Sequence, residues 1–581
     1  MKKQVFALIL TAMLPMMAMA QSRNVSVETA GMLAAQLPDS IRFKIAELKV
    51  TGPLNGTDLK LLGQIVTRTK TNKKIPSECL VTSIDLSEAT IVEGKEGMKT
   101  EGHSLPNGLF SGAKSLLKAV LPQQTISIGN NCFDNCSALT EVDIPETVVT
   151  IGSNAFSDCE SLSAVRLSRV LTKIGNDAFE GCASLSSIEI PETVIEIGNN
   201  AFAGCKSLEK VDILANIKEI GTATFMGCES LKEITIPESV RTIGNNAFRN
   251  CKSLPIISLP DDLDEIGSSA FEGCGNLENI SLSKVAKIGS TAFEECSNLQ
   301  AIELEDVQKI GNGAFTKCIS LKKVKMQGYL DEIGMETFAD CGNLKEITLP
   351  SSIKKIESRA FINCKSLEEI ELPTSLTKMN DHVFENCSSL RYIVIPTQVR
   401  DMGGSVFENC TVLDSVDIKG FIEEIDDDAF RNCHNLKHVK LPVSVKKIDN
   451  EAFQGCSALT SITLPITLQS IGNGAFEQCS SLQSIVIPAA VKEIGSDAFR
   501  ECSLLESVEL AVGLKSIGGS AFAKCVSLRE VKVNAPLPPK ITKTTFKDTV
   551  LGVLKFYVPM GCKAGYMRDK QWMKIPQIIE K

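Results

Sequence analysis

The apolar positions of this chain fall on a lattice. From Cys136 to Cys525 a cysteine recurs every 23 residues, with two steps of 22, and each has a Phe three residues before it and a Leu three residues after it. The cleanest unit runs through Cys136, Leu139, Val142, Ile144, Pro145, Val148, Ile151, Gly152, Ala155 and Phe156 to Cys159. Eighteen of the 21 cysteines and 18 of the 24 phenylalanines sit in these two columns. A period this regular means a repeat array, and it overrides the several globular domains that 581 residues would otherwise suggest.

Each unit predicts two elements. The stretch from Leu139 to Pro145 ends in strict alternation of apolar and polar residues, which reads as a short half-buried strand, stopped by a proline that has no N–H to give to a ladder. From Gly152 to Cys159, Ala155, Phe156 and Cys159 stand at i, i+1 and i+4, which predicts a single helical or 3₁₀ turn on the opposite side. About seven apolar side chains at ~1.5–3 kcal/mol each do not offset the ordering of 23 backbone residues at ~1–2 kcal/mol apiece, so one unit does not fold alone. Stacking solves this by covering each apolar face with the next. The predicted fold class is therefore an α/β repeat solenoid, with a continuous parallel sheet on one face and short helical or 3₁₀ turns on the other.

The pattern changes at both ends. Phe110, Ala113, Leu116, Leu121-Pro122 and Ile128-Gly129 form a unit with Ala in the Cys column, and Val553, Phe556 and Val558-Pro559 form another rung. Upstream, Ile45, Leu48 and Val50, then Val81, Ile84 and Leu86, repeat the strand pattern around a helical segment with Thr57 as its expected N-cap. The expected organisation is an N-terminal cap over 21–105, the leucine-rich array over 106–533, and a C-terminal cap over 534–581 that holds Tyr557, Tyr566 and the single Trp572. Residues 1–20 read as a secretory signal: Lys2 and Lys3, an apolar run from Val5 to Leu14, then Ala18-Met19-Ala20.

Removal of that segment would take the formal charge from -9 to -11, because two lysines and no acidic residue leave with it. An acidic surface argues against nucleic acid as a partner. The apolar run is too short for a bilayer span, so no transmembrane segment is expected. The expected destination is the cell surface or the extracellular space, with the periplasm also open.

The unit Leu-Pro-x-x-Val-x-x-Ile-Gly-x-x-Ala-Phe-x-x-Cys-x-x-Leu resembles the bacterial leucine-rich repeats of the BspA-like, treponemal surface-protein type over about residues 106–533. The ending from Phe556 through Tyr566 and Trp572 to Glu580 is similar to a C-terminal segment common in such proteins. The chain departs from the general leucine-rich pattern by lacking its Asn ladder and by carrying Pro directly after the strand. The resemblance implies adhesion: binding to host matrix proteins, to host cells or to other bacteria.

Candidate chemistry changes this picture little. Parallel Cβ atoms on adjacent rungs lie ~4.8 Å apart, against ~3.8 Å in a disulfide, so the Cys column reads as buried free thiols that pack as small hydrophobes. Cys132 stands four residues before Cys136, which leaves a local bridge open there. Metal binding by the thiols lacks both Cys-x-x-Cys spacing and charge compensation. The four histidines, His103, His382, His434 and His438, read as surface residues. Without a nucleophile elbow, zinc-protease helix, P-loop or dinucleotide fingerprint, no enzyme, cofactor or metal is expected.

Binding is expected on the strand face, at the positions five and seven residues after each Cys. The candidate ligand face comprises Lys323 and Lys325, Glu369 and Glu371, Tyr392 and Val394, and His438 and Lys440. Solvated strand residues would also be charged and mixed, so Tyr392 beside Val394 is the distinctive pair, since exposed aromatics anchor interfaces. The expected partner is a protein or glycan on a host or bacterial surface, bound by a monomer. The other reading is a structural spacer or surface-layer component with no dedicated ligand. The 22-residue steps, at Ser283–Lys287 and Glu305–Lys309, drop one residue between strand and turn, where a local change of curvature is expected.

Overall fold

Alternation along each strand requires a partner on both edges, and the chain provides it by returning to the same place every 23 residues. The computed structural model describes residues 21–42, 44–67 and 81–581. The expected signal segment and Cys79 lie outside the described residues. The chain divides into two compact units, 1–280 and 281–581.

The first unit opens with strand Gln21–Ser26, which pairs in parallel with Ile45–Leu54; the ladder continues through Ser83–Asp85 and Lys118–Val120 to Glu141–Asp143. Helix Gly56–Thr67 buries Leu59, Leu62, Ile65 and Val66, as its apolar face predicts. Its N-terminus is capped by Asn55 and not by Thr57: Asn55 Oδ1 accepts from the N–H groups of Thr57 at 3.0 Å and Asp58 at 3.3 Å. The buried Asp58 carboxylate in turn accepts from the N–H groups of Gly31, Leu33 and Asn55. It ties the preceding segment to the helix start, where negative charge is favoured.

Repeats in both units build the same coil, and it contains more ladders than the pattern predicts. The expected strand is present, for instance Lys210–Ile213 paired in register with Ser187–Ile190 and Glu233–Thr235. A second parallel ladder comes from the two residues before the Gly, such as Lys173-Ile174 between Thr150-Ile151 and Glu196-Ile197. The glycines permit this approach: a Cβ on Gly175 would lie 2.5 Å from the Gly152 carbonyl carbon. The Gly-to-Cys segment forms no helix. Asn154, Phe156 and Asp158 donate their N–H groups to carbonyls of the next coil at 2.7–2.8 Å, while Ala155, Ser157 and Cys159 donate to the residue three back. The i→i−3 bonds are of the expected 3₁₀ kind, but Asn154 (φ 55°) and Asp158 (φ 54°) are left-handed, which turns every second amide outward to its neighbour.

An Asn ladder also exists, away from the position where the general leucine-rich pattern puts it. Asn386 Nδ2 donates to Asn363 Oδ1 at 2.8 Å, and Asn409 and Asn432 continue the row at 2.9 Å each. A second column follows the Gly: Asn130 Oδ1 accepts from Ser153 N, and Asn473 Oδ1 from Ser496 N, both at 2.8 Å. Both are short side chains that tolerate left-handed or turn backbone and satisfy amides the ladders leave over.

Within each unit the core is columnar. Phe156 stacks on Phe133 at 5.2 Å and 5°, and Phe315 on Phe293 at 5.3 Å and 2°. The lattice cysteines are buried free thiols, and Cys132 and Cys136 are separate thiols as well. In the second unit the 22-residue step is absorbed in the loop, since Lys287 and Ile288 still pair with Lys309 and Ile310. The array also runs further than 533: Phe546 stacks on Phe522 at 5.5 Å and 7°. The column then ends in edge-to-face contacts, Phe546 on Phe556 at 84° and Phe556 on Trp572 at 89°. Tyr566 and Trp572 are buried with their polar atoms engaged, donating to the carbonyls of Ala535 and Pro539. This closes the last apolar face, which the terminus of a repeat array requires.

Candidate ligand-binding face

The outward positions of the main strand are where the alternation puts them. Ala301–Leu304 alternates exposed and buried; Tyr392–Ile395 does so with Tyr392 49 % exposed and Val394 half-buried. Register aligns Tyr392 with Ser415 and then His438, and Val394 with Asp417 and then Lys440. Lys323 stands opposite Glu346, with Nζ 2.9 Å from its carboxylate, and this hydrogen bond raises the Lys323 pKa. At that exposure the ion pair adds little to stability.

Four of the eight predicted site residues converge. The main ladder opens between Glu346–Thr348 and Tyr392–Ile395, where residues 369–372 form no strand. A groove of about 870 Å³ lies over this opening, and Glu369, Glu371, Tyr392 and Val394 all line it. Ile347, Ile370, Leu372 and Ile393 form its floor; Glu346, Thr348, Thr374 and Thr397 add polar rim, and Lys345 and Lys419 add positive charge. Lys323 and Lys325 stand on the strand before Glu346–Thr348, with Lys325 in register with Thr348, and they do not line the groove; neither do His438 and Lys440.

Glu369 and Glu371 have no Lys or Arg at ion-pair distance among the described residues, although both are exposed. They therefore remain available to hydrogen-bond donors or cations on a ligand. An apolar floor, an exposed aromatic wall and free carboxylates suit a ligand that offers both an apolar face and donors. Sequence spacing found the wall and the carboxylates. The floor and the threonine rim were missed, because nothing in the local pattern marks the rung at 369–372 as unpaired.

A second depression, of about 540 Å³, lies over the Gly ladder and includes Asp449, Asn450, Asn473, Ser496, Lys540 and Thr542. Asn450 and Asn473 are already committed there to amides of the next coil. His434 Nδ1 lies 2.9 Å from the Gly455 carbonyl oxygen, and His438 is exposed on its strand. No helix among the described residues is long and apolar enough to cross a membrane.

Among known proteins, the BspA type leucine rich repeat region matches the chain over residues 103–232, 218–341, 308–437 and 423–552. A leucine-rich repeat protein from Bacteroides ovatus is 25 % identical in solved structure, with 80 % of this chain and 89 % of that chain covered and a TM-score of 0.30. A leucine rich cell surface protein from Faecalibacterium prausnitzii is 25 % identical over 60 % of this chain and 87 % of that chain, TM-score 0.33. The leucine rich repeat protein of T. pallidum is 26 % identical over 32 % of this chain and 77 % of that chain, TM-score 0.26. No curated protein matches.

Proposed function

Because the chain belongs to the BspA-type leucine-rich repeat family, we propose that it is an exported surface protein that binds a protein or glycan of host cells, host matrix or other bacteria, and so serves adhesion. The observation that carries this reading is the groove around Tyr392. There an exposed ring, an apolar floor and two carboxylates without a Lys or Arg partner among the described residues come together in one groove. Lys323, Lys325, His438 and Lys440 flank it and extend the contact surface along the strands.

The test is binding of the purified protein to arrays of host matrix proteins and of glycans. Replacement of Tyr392 by Ala, and of Glu369 and Glu371 together by Gln, is expected to weaken the captured interaction at least ~10-fold, as loss of an aromatic anchor does. The folded signal in circular dichroism should be unchanged, since all three side chains point outward. Capture that survives both changes at full strength would remove this groove as the binding site.

A further inference from the structure

A cluster outside the groove carries an independent reading. His382, Glu385 and Glu408 present one ligand atom each, all within 4.8 Å of one another and all half-buried. They come together through the coil's own geometry. His382 holds a left-handed backbone (φ 59°) three residues before Glu385, and Glu408 occupies the position of Glu385 one coil later. His382 Nδ1 lies 2.8 Å from Glu385 Oε2.

Three other acidic members of the column after the Phe have a cation beside them, while Asp134 and Glu180 have no Lys or Arg at ion-pair distance among the described residues. Glu272 meets Arg249 at 2.6 Å, Glu294 meets Lys317 at 3.0 Å, and Glu477 meets Arg500 at 3.2 Å. Glu385 and Glu408 have no Lys or Arg at ion-pair distance among the described residues; the nearby Arg431 instead contacts Asp428 and Glu451, both at 3.2 Å. Two half-buried carboxylates on adjacent coils thus lie together with a histidine, and Arg431, the nearby cation, is engaged by Asp428 and Glu451.

We propose that His382, Glu385 and Glu408 bind a divalent transition-metal ion of the zinc class. One imidazole nitrogen and two carboxylate oxygens make a borderline N/O set, which favours zinc, cobalt, nickel or manganese over calcium or magnesium, whose sites are built from oxygen alone. With metal–ligand bonds of ~2.1 Å, neighbouring ligands around an ion stand roughly 3 Å apart. The His382–Glu385 separation already meets that spacing. Glu408 offers its oxygen within 4.8 Å of both, and side-chain exposures of 34 % and 20 % at His382 and Glu385 leave room for water in the remaining positions. Asn386, fixed in the amide row, donates to Glu385 Oε1 at 3.3 Å and holds the carboxylate from behind.

The experiment titrates the chelator-treated protein, carrying Cys562→Ser to remove a partly exposed thiol, with Zn²⁺ by calorimetry and with Co²⁺ by visible absorption. His382→Asn and Glu408→Gln are the variants, since Asn occupies the His382 position in other coils with the same left-handed φ. One equivalent of metal is expected, with only the weak Co²⁺ bands of an N/O site and at least ~10-fold weaker binding in each variant. No uptake at millimolar Zn²⁺, undiminished uptake in both variants, or a strong thiolate-to-cobalt band would each overturn the assignment.

Discussion

The thiol of Cys159 donates to the carbonyl oxygen of Phe133 at 3.2 Å, one coil back and beneath the stacked ring of Phe156. The bond repeats through the array, for instance from Cys364 to Phe338 at 3.2 Å and from Cys525 to Phe499 at 3.1 Å. The same residue thus fills the core and gives the Phe133 carbonyl a second donor beside the Cys136 N–H, which reaches it at 3.1 Å. An Ala would remove that second donor and leave unfilled space in the core.

Burial also pushes these thiols up, to about 12 at Cys205, Cys274 and Cys525, so the reactive thiolate is scarce at neutral pH. In the folded protein the 19 buried cysteines are expected to resist an aromatic disulfide reagent, and all 21 thiols should titrate once the chain is denatured. Reaction of more than two thiols before unfolding, beyond Cys562 and Cys79, would contradict the packing described.

Asn386 serves two purposes: its amide joins Asn363 to Asn409, and its backbone is left-handed at φ 61°. Substitution by Ala should cost about 1–3 kcal/mol for the broken amide row, with about 1 kcal/mol more for the backbone. Substitution by Gly should cost only the first part. Hydrogen exchange of the amides from 359 to 409 separates the two: both variants exchange faster than the parent, and the Ala variant fastest.

Asp449 stands where most coils have Gly and is 7 % exposed. Burial, and then the Glu424 carboxyl, push its pKa up to about 6, against the opposing pull of Lys447. A carboxyl whose folded pKa exceeds its unfolded value of ~3.9 binds its proton more tightly when folded, so its contribution is full below pH ~4 and is lost as pH rises through 6. Replacement by Asn should abolish this dependence and stabilise the second unit by about 1–2 kcal/mol at pH 7.5, with no gain at pH 4. Denaturant titration at the two pH values measures it; an equal effect at both would show that Asp449 titrates normally.

Features with long-range consequences in one dimension were legible in the sequence. The Cys and Phe columns, the alternation of Tyr392–Ile395 and the register of whole coils follow from counting, because each coil's apolar face has no other way to be covered. The short Gly ladder was not legible, since two residues such as Lys173-Ile174 are too few to show a period. The turn from Gly152 to Cys159 misled for another reason: its apolar spacing equals that of a helix, and only the left-handed φ of Asn154 and Asp158 separates the two. Asn55 displaced Thr57 as cap because its amide oxygen reaches the N–H groups two and three residues on, those of Thr57 and Asp58. The pairing of Glu385 with Glu408 appears only when neighbouring repeats are aligned on the residue after the Phe.

Strict register has a consequence for how such a chain changes over generations. Since Lys210 lies beside Glu233 and Val211 beside Ile234, each coil offers its successor nearly the same surface that it received. Recombination that adds or deletes one whole repeat therefore leaves every contact type in place, and the molecule can lengthen or shorten without relearning how to fold. A slip of a single residue is tolerated only between strand and turn, where the two short repeats have already taken it, so the loops there record which insertions selection has allowed.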